Sequence, residues 1–427
     1  MRRLAFLFFA LFLWLAPRAS AAAQALSLSD AKSEARAHAP EGAELEARLR
    51  GADAVLDDAG RVFRRDPTLQ TSYSTGALTG SPDEHAVTVG VRIPIDISGS
   101  WTPREGSARA DRERVRYERD DGLRALDEAV AMAFADVALA QRLVGRAQRV
   151  VTLYELALTA ERERLRVGQG NQLDVDAADL DAQGARASVA QARGVLAQAR
   201  ARLGRLLGRD SSGDLTVDDR TEPAAAPSES VLTGIVDRDP RVLAAEADAR
   251  SRSLGVEMYE RLMIPTPTLG VDVGWRRRDI PLGAFQGPSS TGLSALWSEW
   301  EMGFSLSVPL PLFDGSREPR ARALSLSYAA SARIATVRAD VRSELEQAWS
   351  VYRAAAEAHE AVAPSAAILD RDFGLLEQAV RSGTMDAVVR ATSLRRLEDA
   401  GRRLDVAVRD VRVARARWDR RVASRQQ

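Results

Sequence analysis

The sequence predicts an α+β membrane protein built as two internal repeats, each with one β-hairpin and two very long helices. Three observations lead to this fold class. Proline and glycine positions recur at matching intervals in the two halves of the chain. Four segments alternate apolar residues with small or polar ones, as strands do. Two heptad patterns run much further than a helix of a compact domain requires.

The composition argues against several classes of function. The 427-residue chain has 60 basic and 60 acidic residues, so its net charge is zero and gives no electrostatic case for nucleic acid binding. The chain has no cysteine, which excludes disulfides, thiolate metal sites and a lipid attached to cysteine. Because there are only three histidines and no nucleophile or phosphate-loop motif, we expect no metal site, no cofactor and no enzyme activity.

Residues 1–25 have the pattern of a secretory signal. Arg2 and Arg3 precede the apolar run LAFLFFALFLWLAP, and small-residue cleavage sites follow it. A short membrane anchor is the alternative, but the run is too short for an ordinary spanning helix. We therefore expect the mature chain to lie outside the cytoplasm. No later segment is apolar for long enough to form a spanning helix, so a membrane role would require a barrel.

An internal repeat organises the mature chain. Its first copy is expected over residues 26–209 and its second over 231–422, and the Ser-, Asp- and Pro-rich segment 210–230 between them is expected to be a linker. The evidence for the repeat is that two spacings occur twice. The interval from Pro40 to Pro67 recurs unchanged from Pro240 to Pro267, and the interval from Pro94 to Gly168 recurs unchanged from Pro309 to Gly383.

The alternating segments predict one hairpin in each repeat, over about 68–98 and about 268–312. Apolar residues take every second position of these strands, and small or polar residues take the positions between. Trp275, Trp297 and Trp300 lie near strand ends. The face of a β-sandwich would show the same alternation. However, strands of about 9–11 residues with one apolar face and aromatic residues at the ends are typical of a lipid-facing barrel wall.

The helical segments carry two heptad seams, which are in the same register when the two repeats are aligned. The first seam runs from Leu126 to Leu158 and the second from Val341 to Phe373. Short helices are expected before each hairpin. The long helices are predicted over about 103–167, 172–207, 319–382 and 386–422. The first of them would be on the order of 95 Å long, which no compact domain needs.

Turn signals mark where each pair of long helices reverses direction. Two glycines and a capping asparagine interrupt the first pair, and a glycine and an aspartate interrupt the second. We expect these turns to form the tips of the helix pairs. The residues concerned are Gly168, Gly170, Asn171, Gly383 and Asp386.

A second set of signals marks two junctions between strand and helix. A proline ends strand pairing because it donates no ladder hydrogen bond, and a glycine then lets the chain turn. A second proline suits the first helical turn, where a missing N–H costs nothing. The junction residues are Pro94, Gly99 and Pro103 in the first repeat, and Pro309, Gly315 and Pro319 in the second.

Four strands cannot close a barrel, since roughly eight are needed to surround even a filled interior. In lipid, an open sheet edge leaves backbone groups without hydrogen-bond partners, at several kcal/mol each. The strands must therefore pair with those of other copies of the chain. Two copies would give a barrel of about eight strands without a pore, and three would give twelve strands around a water-filled lumen.

Two motifs resemble those of a known family. The strand end VPLPLFDG (308–315) and the turn V-G-x-x-x-x-L-D-V (167–175), together with the repeat, are similar to TolC-type outer-membrane efflux factors over essentially the whole mature chain. The VPLPLFDG segment is particularly similar to the heavy-metal exporter branch of that family. The resemblance implies a homotrimer with a twelve-stranded barrel in the outer membrane, continued by a long helical tunnel in the periplasm. It also implies a periplasmic adaptor and an inner-membrane pump as partners.

Asp174 is the candidate for a tunnel constriction. In the family the aspartate of the L-D-V turn lies near the periplasmic constriction, and a ring of three carboxylates would set an electrostatic barrier and a cation preference. The alternative is that Asp174, in the first turn of a helix, only caps amide groups and meets the positive helix end. The second repeat departs from the pattern, since Val389 and Arg390 take the matching positions.

The sequence therefore predicts an outer-membrane exit duct of a tripartite export system, through which small molecules, drugs or metal ions leave passively. One alternative of another class is a non-conducting periplasmic coiled-coil scaffold or adhesin stalk, which would have no use for hairpins with an apolar face. A second alternative is a conduit for secreted proteins. The residues do not separate the two conduits, because the tunnel is common to both and the pump selects the cargo.

Overall fold

The structure is a computed structural model of the chain. It describes residues 25–61, 66–76, 84–209, 215–219, 234–281, 294–310, 317–382 and 387–422. The expected signal, residues 1–25, lies outside the described residues except for its last position. No helix within these ranges combines the length and the apolar character that crossing a membrane requires.

The same order of elements, helix then hairpin then long helices, occurs in both halves of the chain. The first half contains α1 (Leu28–His38), α2 (Pro40–Ala59), β1 (Thr68–Gly76), β2 (Glu84–Pro94), α3 (Trp101–Arg166) and α4 (Gln172–Leu206). The second half contains α5 (Pro240–Arg261), β3 (Thr268–Pro281), β4 (Ser294–Ser307), α6 (Arg317–Val362), α7 (Ser365–Arg381) and α8 (Ala387–Val422).

The chain divides into two compact units. The sheet unit comprises Ala47–Arg119 and Pro240–Asp340, and therefore holds all four strands. The helical unit comprises Met1–Glu46, Asp120–Asp239 and Val341–Gln427, and holds α4, α7 and α8 entirely.

The strands form one antiparallel sheet in the order β1-β2-β3-β4. The central pair, β2 and β3, joins the two halves of the chain, and Val91 lies opposite Val271 in its register. Each hairpin therefore contributes one central strand and one edge strand, and β1 and β4 are the two edges of the sheet. The strand β2 ends at Pro94, slightly before the end that was predicted for the hairpin.

Polar contacts join helices of the sheet unit to one another. The Ser107 and Ser251 hydroxyls, on α3 and α5, lie 3.0 Å apart. Arg112 on α3 donates to Asp53 on α2 at 2.7 Å. Arg320 on α6 likewise donates to Glu260 on α5 at 2.8 Å. These contacts fix the helices that begin where the strands end.

The largest apolar core of the helical unit lies where α1, α3 and α4 meet. The first heptad seam supplies its centre, because seam residues Leu126, Val130 and Val137 are all buried there. Leu203 on α4 is also fully buried in this cluster. The many alanines at the seam, such as Ala31 of α1, allow the close approach that the sequence predicted.

The segment predicted as a linker, 210–230, is packed where the structure describes it. The N–H of Leu26 donates to the carbonyl of Thr216 at 2.9 Å, and the N–H of Asp218 donates back to Leu26 at 2.9 Å. Leu215 and Val217 are buried in the core of the helical unit. The linker prediction is therefore corrected for residues 215–219: two alternating apolar residues were enough to bury this short stretch.

The helix predicted over 319–382 is two helices, α6 and α7, and this prediction is also corrected. Pro364 lies in the break, because proline has no N–H to donate and its ring clashes with the carbonyl four residues earlier. The chain turns through the N–H of Ala366, which donates to the carbonyl of Ala363 at 3.1 Å. The matching position of the first repeat is Arg149, and α3 passes through it without interruption.

Candidate membrane-facing sheet and helix tips

One face of the sheet carries apolar side chains in rows that cross all four strands. The register aligns Leu69, Val91, Val271 and Phe304 in one row, and Thr71, Val89, Val273 and Met302 in the next. These side chains are exposed: Phe304, for example, is 75% accessible. A contiguous apolar face of this kind marks a surface that another apolar phase covers.

An aromatic row borders this apolar face on the side of the hairpin turns. It consists of Tyr73, Val87, Trp275 and Trp300, which the register places side by side. Trp300 is 77% accessible. Trp275 and Trp300 were predicted near strand ends, and this is corrected: both lie near the middle of their strands, because β3 continues to Pro281 and β4 begins at Ser294. The side chain of Trp297 lies outside the described ones. Aromatic girdles of this kind flank the apolar band of membrane barrels.

The opposite face of the sheet is polar and rich in glycine. A Cβ on Gly90 would collide with Oδ1 of Asp272, so only glycine lets that carboxylate lie across the neighbouring strand. Beside it, Arg276 and Glu301 form an ion pair at 3.4 Å. A wall with one apolar face and one polar, small-residue face can separate lipid from a water-filled lumen.

Backbone hydrogen bonds and a glycine turn hold the first junction between strand and helix. The N–H of Ile95 donates to the carbonyl of Pro267 at 2.8 Å, and strand pairing ends after this hydrogen bond. Gly99 has φ +67°, a conformation that favours glycine, and Arg261 donates to its carbonyl at 3.0 Å. Pro103 lies in the first turn of α3. In the second junction, Pro309 follows β4 and Pro319 lies in the first turn of α6, while Gly315 is outside the described residues.

Sequence reasoning missed Asp96, which holds this first junction together. Its carboxylate accepts from the N–H of Ser98 at 2.9 Å and from the Ser100 hydroxyl at 2.7 Å. Burial opposes ionisation, but these hydrogen bonds outweigh it and lower the pKa of Asp96 below its usual value. The available signal was the pattern Asp-x-Ser-x-Ser before a helix, because aspartate side chains commonly bond the backbone two residues on.

The turn between α3 and α4 forms a tip with two matched caps. Gly168 has φ +75°, and its N–H donates to Leu165 at 3.0 Å, while the N–H of Gln169 donates to Arg164 at 2.8 Å. This is a Schellman motif, which satisfies carbonyls at the end of α3. A Cβ on Gly170 would lie 3.2 Å from the backbone N of Leu165, a tight contact that glycine avoids.

Asn171 caps the start of α4, and this leaves Asp174 exposed. The Asn171 carbonyl oxygen Oδ1 accepts from the N–H of Asp174 at 2.8 Å. Within the described part of the chain, the Asp174 carboxylate has no hydrogen bond or ion pair, and it lies in the first turn of α4, where a carboxylate meets the positive helix end. In the second tip, Gly383 and Asp386 lie outside the described residues.

Near the tips, Arg390 of α8 and Glu161 of α3 form a buried pair that the sequence did not reveal. Arg390 is 5% exposed and Glu161 is 7% exposed, with Nη1 and Oε1 3.7 Å apart. Arg390 Nε has no acceptor in the part of the chain that the structure describes. The matching positions of the other repeat are Val175 and Leu376, both buried and apolar. The departure at Arg390 was visible in the repeat, but its burial was not, because its partner lies in the other half of the chain.

The histidines do not gather into a metal site. His38 ends α1, His85 lies on β2 and His359 lies near the end of α6. Among the described residues, no group of three or more histidine, aspartate or glutamate side chains could hold a metal ion.

The two-faced sheet, its open edges and the long capped helices define a fold that can be compared with known proteins. Residues 31–209 match the model of the family described as outer membrane efflux protein. No curated protein sequence matches the chain. Proteins of this family are channels that take part in transport, and the family is not one of enzymes.

Solved structures share the fold over nearly the whole chain. The outer-membrane channel OprN is 20% identical, with 93% of this chain and 90% of that chain covered and a TM-score of 0.68. The outer membrane channel CmeC of Campylobacter jejuni is 11% identical, with 93% and 85% covered and a TM-score of 0.72. CusC, whose structures concern folding and transmembrane channel formation, is 16% identical, with 92% of this chain and 91% of that chain covered and a TM-score of 0.69.

The resemblance to TolC-type outer-membrane efflux factors is thus confirmed. The family model supports this resemblance at the level of sequence, in the first half of the chain. The solved structures support it at the level of fold, over more than nine-tenths of the chain.

Proposed function

We propose that the protein is the outer-membrane exit duct of a tripartite export system. An inner-membrane pump would drive small molecules, drugs or metal ions into the duct through a periplasmic adaptor, and passage through the duct itself would be passive. The observation that carries this proposal is the sheet with one exposed apolar face, bordered by an aromatic row, and two unpaired edges.

Three copies of the chain would close the barrel. The outer edges of β1 and β4 have no strand partner within the described part of the chain. In lipid these edges need hydrogen-bond partners, and the β4 edge of one copy can supply them to the β1 edge of the next. Three copies give about twelve strands, enough for a water-filled lumen. The glycine-rich polar face would line that lumen.

The long helices would continue the barrel as a periplasmic tunnel, and their tips would contact the adaptor. Leu173 at the first tip is 75% exposed, and Val388 beside the second is 73% exposed. Apolar side chains at this exposure suit a protein partner. Asp174, exposed and without a partner among the described residues, would form a ring of three carboxylates in the trimer and favour cations there.

The cargo is proposed only by class. The VPLPLFDG motif at 308–315 supports the heavy-metal exporter branch, and metal ions would pass without dedicated ligands. A protein-secretion conduit would use the same tunnel and remains the second candidate within transport. A non-conducting scaffold or adhesin stalk is disfavoured by the exposed apolar sheet face. The protein would lie in the outer membrane without a lipid on cysteine, since it has none.

The first test asks whether the sheet edges pair between copies. The chain has no cysteine, so introduced pairs react without background. Three strand spacings, about 14 Å, separate β1 from β4 in one chain, too far for a disulfide. Cysteines are placed on β1 between 69 and 75 and on β4 between 300 and 306, and oxidised in the membrane. Disulfide-linked dimers and trimers are expected for some pairs, and linkage of none would contradict the proposed barrel.

The second test measures conduction. Amine cross-linking is unsuitable because Lys32 is the only lysine. The mass of the purified particle in detergent is therefore measured by light scattering, and the same sample is added to a planar bilayer. A trimer with discrete channel openings is expected. A water-soluble monomer that gives no channel events would overturn the proposal and favour the scaffold.

A further inference from the structure

The two halves of the chain build their hairpins in the same register. Residues of β1 match those of β3 200 positions later, and residues of β2 match those of β4 215 positions later. In the first hairpin Thr68 lies opposite Arg92, and in the second their matches, Thr268 and Ser307, lie opposite each other. The two halves are therefore structural equivalents, and a contact of one half has a defined counterpart in the other.

The helices beside the hairpins are equivalent in the same way. A Cβ on Gly60, just after α2, would lie 3.8 Å from the carboxyl carbon of Glu105 on α3. Their matches, Glu260 of α5 and Arg320 of α6, form an ion pair at 2.8 Å. Each half thus packs its short helix on its own long helix at the same positions.

A different helix contact joins the two halves, since α5 of the second half also packs on α3 of the first. A Cβ on Gly106 of α3 would lie 3.2 Å from Leu254 of α5. Arg250 donates to Glu113 at 2.9 Å across the same contact. Ala247, on the same face of α5 as Leu254, is fully buried.

The counterparts of this second contact are exposed in a single copy of the chain. Ala47 and Ala54 take the matching positions on α2, and Ala321 and Tyr328 take them on α6. All four side chains are exposed, and Tyr328 is 68% accessible. Because the chain has only two repeats, α6 needs the α2 of another copy to make the contact that α3 makes with α5.

The same equivalence assigns a register to the edges of the sheet. Between the two halves, Val89 of β2 lies opposite Val273 of β3. Their matches are Phe304 of β4 and Tyr73 of β1, which would lie opposite each other when two copies meet. Both side chains are exposed on the apolar face, so this pairing would continue that face from one copy to the next.

The assigned register closes a barrel of ordinary geometry. Within one chain, Leu69 and Phe304 lie in the same row. If Phe304 lies opposite Tyr73 of the next copy, the row rises by about four residues per copy, and by about twelve in three copies with twelve strands. A stagger equal to the number of strands corresponds to a strand tilt of about 36°. This tilt lies within the range of outer-membrane barrels.

We propose that copies of this chain bind each other in the way that the two halves of one chain do. The second half of one copy, with β4 and α6, faces the first half of the next copy, with β1 and α2. The inference rests on the proposed function for the pairing of the sheet edges. It adds the register of that pairing and a helix contact beside it.

Cysteine pairs test the register, because the chain has no cysteine of its own. Phe304→Cys is combined in turn with Thr71→Cys, Tyr73→Cys and Thr75→Cys, and the membrane-inserted protein is oxidised. The pair with Tyr73→Cys should form linked dimers fastest, since the other two positions are displaced by about 7 Å along the strand.

The outcomes separate this inference from the proposed function. Faster linkage at Thr71 or Thr75, or at another pair of the wider scan of β1 and β4, would overturn the register and leave the barrel intact. If no pair of the wider scan is linked, the proposed barrel itself is wrong.

A second pair tests the helix contact. Ala54→Cys with Ala321→Cys, the counterparts of Leu254 and Gly106, should give linked dimers with a short thiol-to-thiol cross-linker. The control is Ala54→Cys with Ala335→Cys, an exposed alanine about 21 Å further along α6, which should give none. Equal linkage of the two pairs, or no linkage at Ala321 when the strand pair is linked, would overturn the helix contact.

Discussion

Asp96 shows how one ionised side chain can hold a strand-to-helix junction. Its pKa is lowered in the folded protein because the hydrogen bonds from Ser98 and Ser100 outweigh the effect of burial. A lowered carboxyl pKa contributes stability above the ordinary value, and the contribution is lost as the pH falls through the folded value. The junction should therefore weaken at acidic pH before the apolar core does.

We predict that Asp96→Asn lowers the free energy of unfolding by about 1–2 kcal/mol at pH 7, the range for hydrogen bonds to a charged group discounted for partial exposure. The difference from the wild type should shrink as the pH falls below about 4, where the carboxylate takes up a proton in the unfolded chain, and be smallest below the lowered pKa of the folded state. Denaturant unfolding followed by circular dichroism at pH 7 and pH 3 measures it. Asp57→Asn, at an exposed site on α2, is the control, and an equal loss there would contradict the prediction.

For single residues, the sequence predicted the backbone conformation at turns better than it predicted which side chains contact each other. Gly168 and Gly99 were recognisable because positive φ at a turn favours glycine, a local property. The burial of Glu161 was not recognisable, since a glutamate on a long helix is ordinarily solvated. Its burial depends on α8, which begins at residue 387. Partners that are distant in sequence leave no local pattern.

The pairing of α3 with α8 near the tips depends on charge where the matching positions are apolar. Val175 of the first repeat matches Arg390, and Leu376 of the second matches Glu161. Removing one partner of a buried pair leaves the other charge uncompensated, whereas replacing both by apolar residues is often neutral or stabilising. The matching residues of the other repeat therefore indicate the apolar replacements: valine for Arg390 and leucine for Glu161.

We predict that Glu161→Leu, which removes the carboxylate facing Arg390, lowers the free energy of unfolding by about 3 kcal/mol. Arg390→Val should cost less, because Arg164 still lies 3.5 Å from Glu161, and the double variant should recover most of the Glu161→Leu loss. Thermal unfolding of the three variants gives the coupling energy through a double-mutant cycle. Single losses that simply add in the double variant would show that the two charges do not act as a pair.

The apolar face of the sheet gives a prediction about the membrane. Phe304→Arg places a charge among the apolar rows and should cost about 2–4 kcal/mol on insertion near the middle of the bilayer. Ser305→Arg places the same charge on the polar face, where the cost should be small. The fraction of protein that resists urea extraction from liposomes measures insertion, and equal extraction of both variants would argue against a lipid-facing surface.

For the elements, periodicity predicted nearly all helices and strands, because both periods are local. The two corrections concern exceptions to a period. Pro364 interrupts a helix whose heptad pattern continues on both sides of it. Leu215 and Val217 form too short an alternation to stand out from a Ser- and Asp-rich segment, yet they complete a core built by three other helices.

At the scale of the whole molecule, one chain carries only part of each feature that the proposed channel needs. The sheet has two faces but open edges, and the tip has an exposed carboxylate but no enclosed pore. The sequence could predict the number of strands, and from it the need for other copies. It could not predict a constriction, because the distance between three copies of Asp174 depends on helix packing between chains.

In the proposed trimer, three Asp174 carboxylates would lower the energy of a cation at the constriction. Asp174→Asn should therefore reduce the preference for cations over anions, measured as the reversal potential in a salt gradient across a planar bilayer. Val389→Asp adds a carboxylate at the matching position of the second repeat and should increase that preference.

The control is Asn171→Ala, which removes the cap of α4 at a cost of about 1 kcal/mol and leaves the carboxylate in place. If Asp174 acts only on the helix dipole, Asp174→Asn should lower stability slightly and leave the single-channel currents unchanged. If it acts on the permeating ion, Asn171→Ala should keep the wild-type reversal potential while Asp174→Asn shifts it. The two roles are separable because the interaction of an exposed carboxylate with the helix dipole is screened by salt and is limited to the first turn of the helix. A ring of charges in a narrow pore, by contrast, acts on every ion that passes.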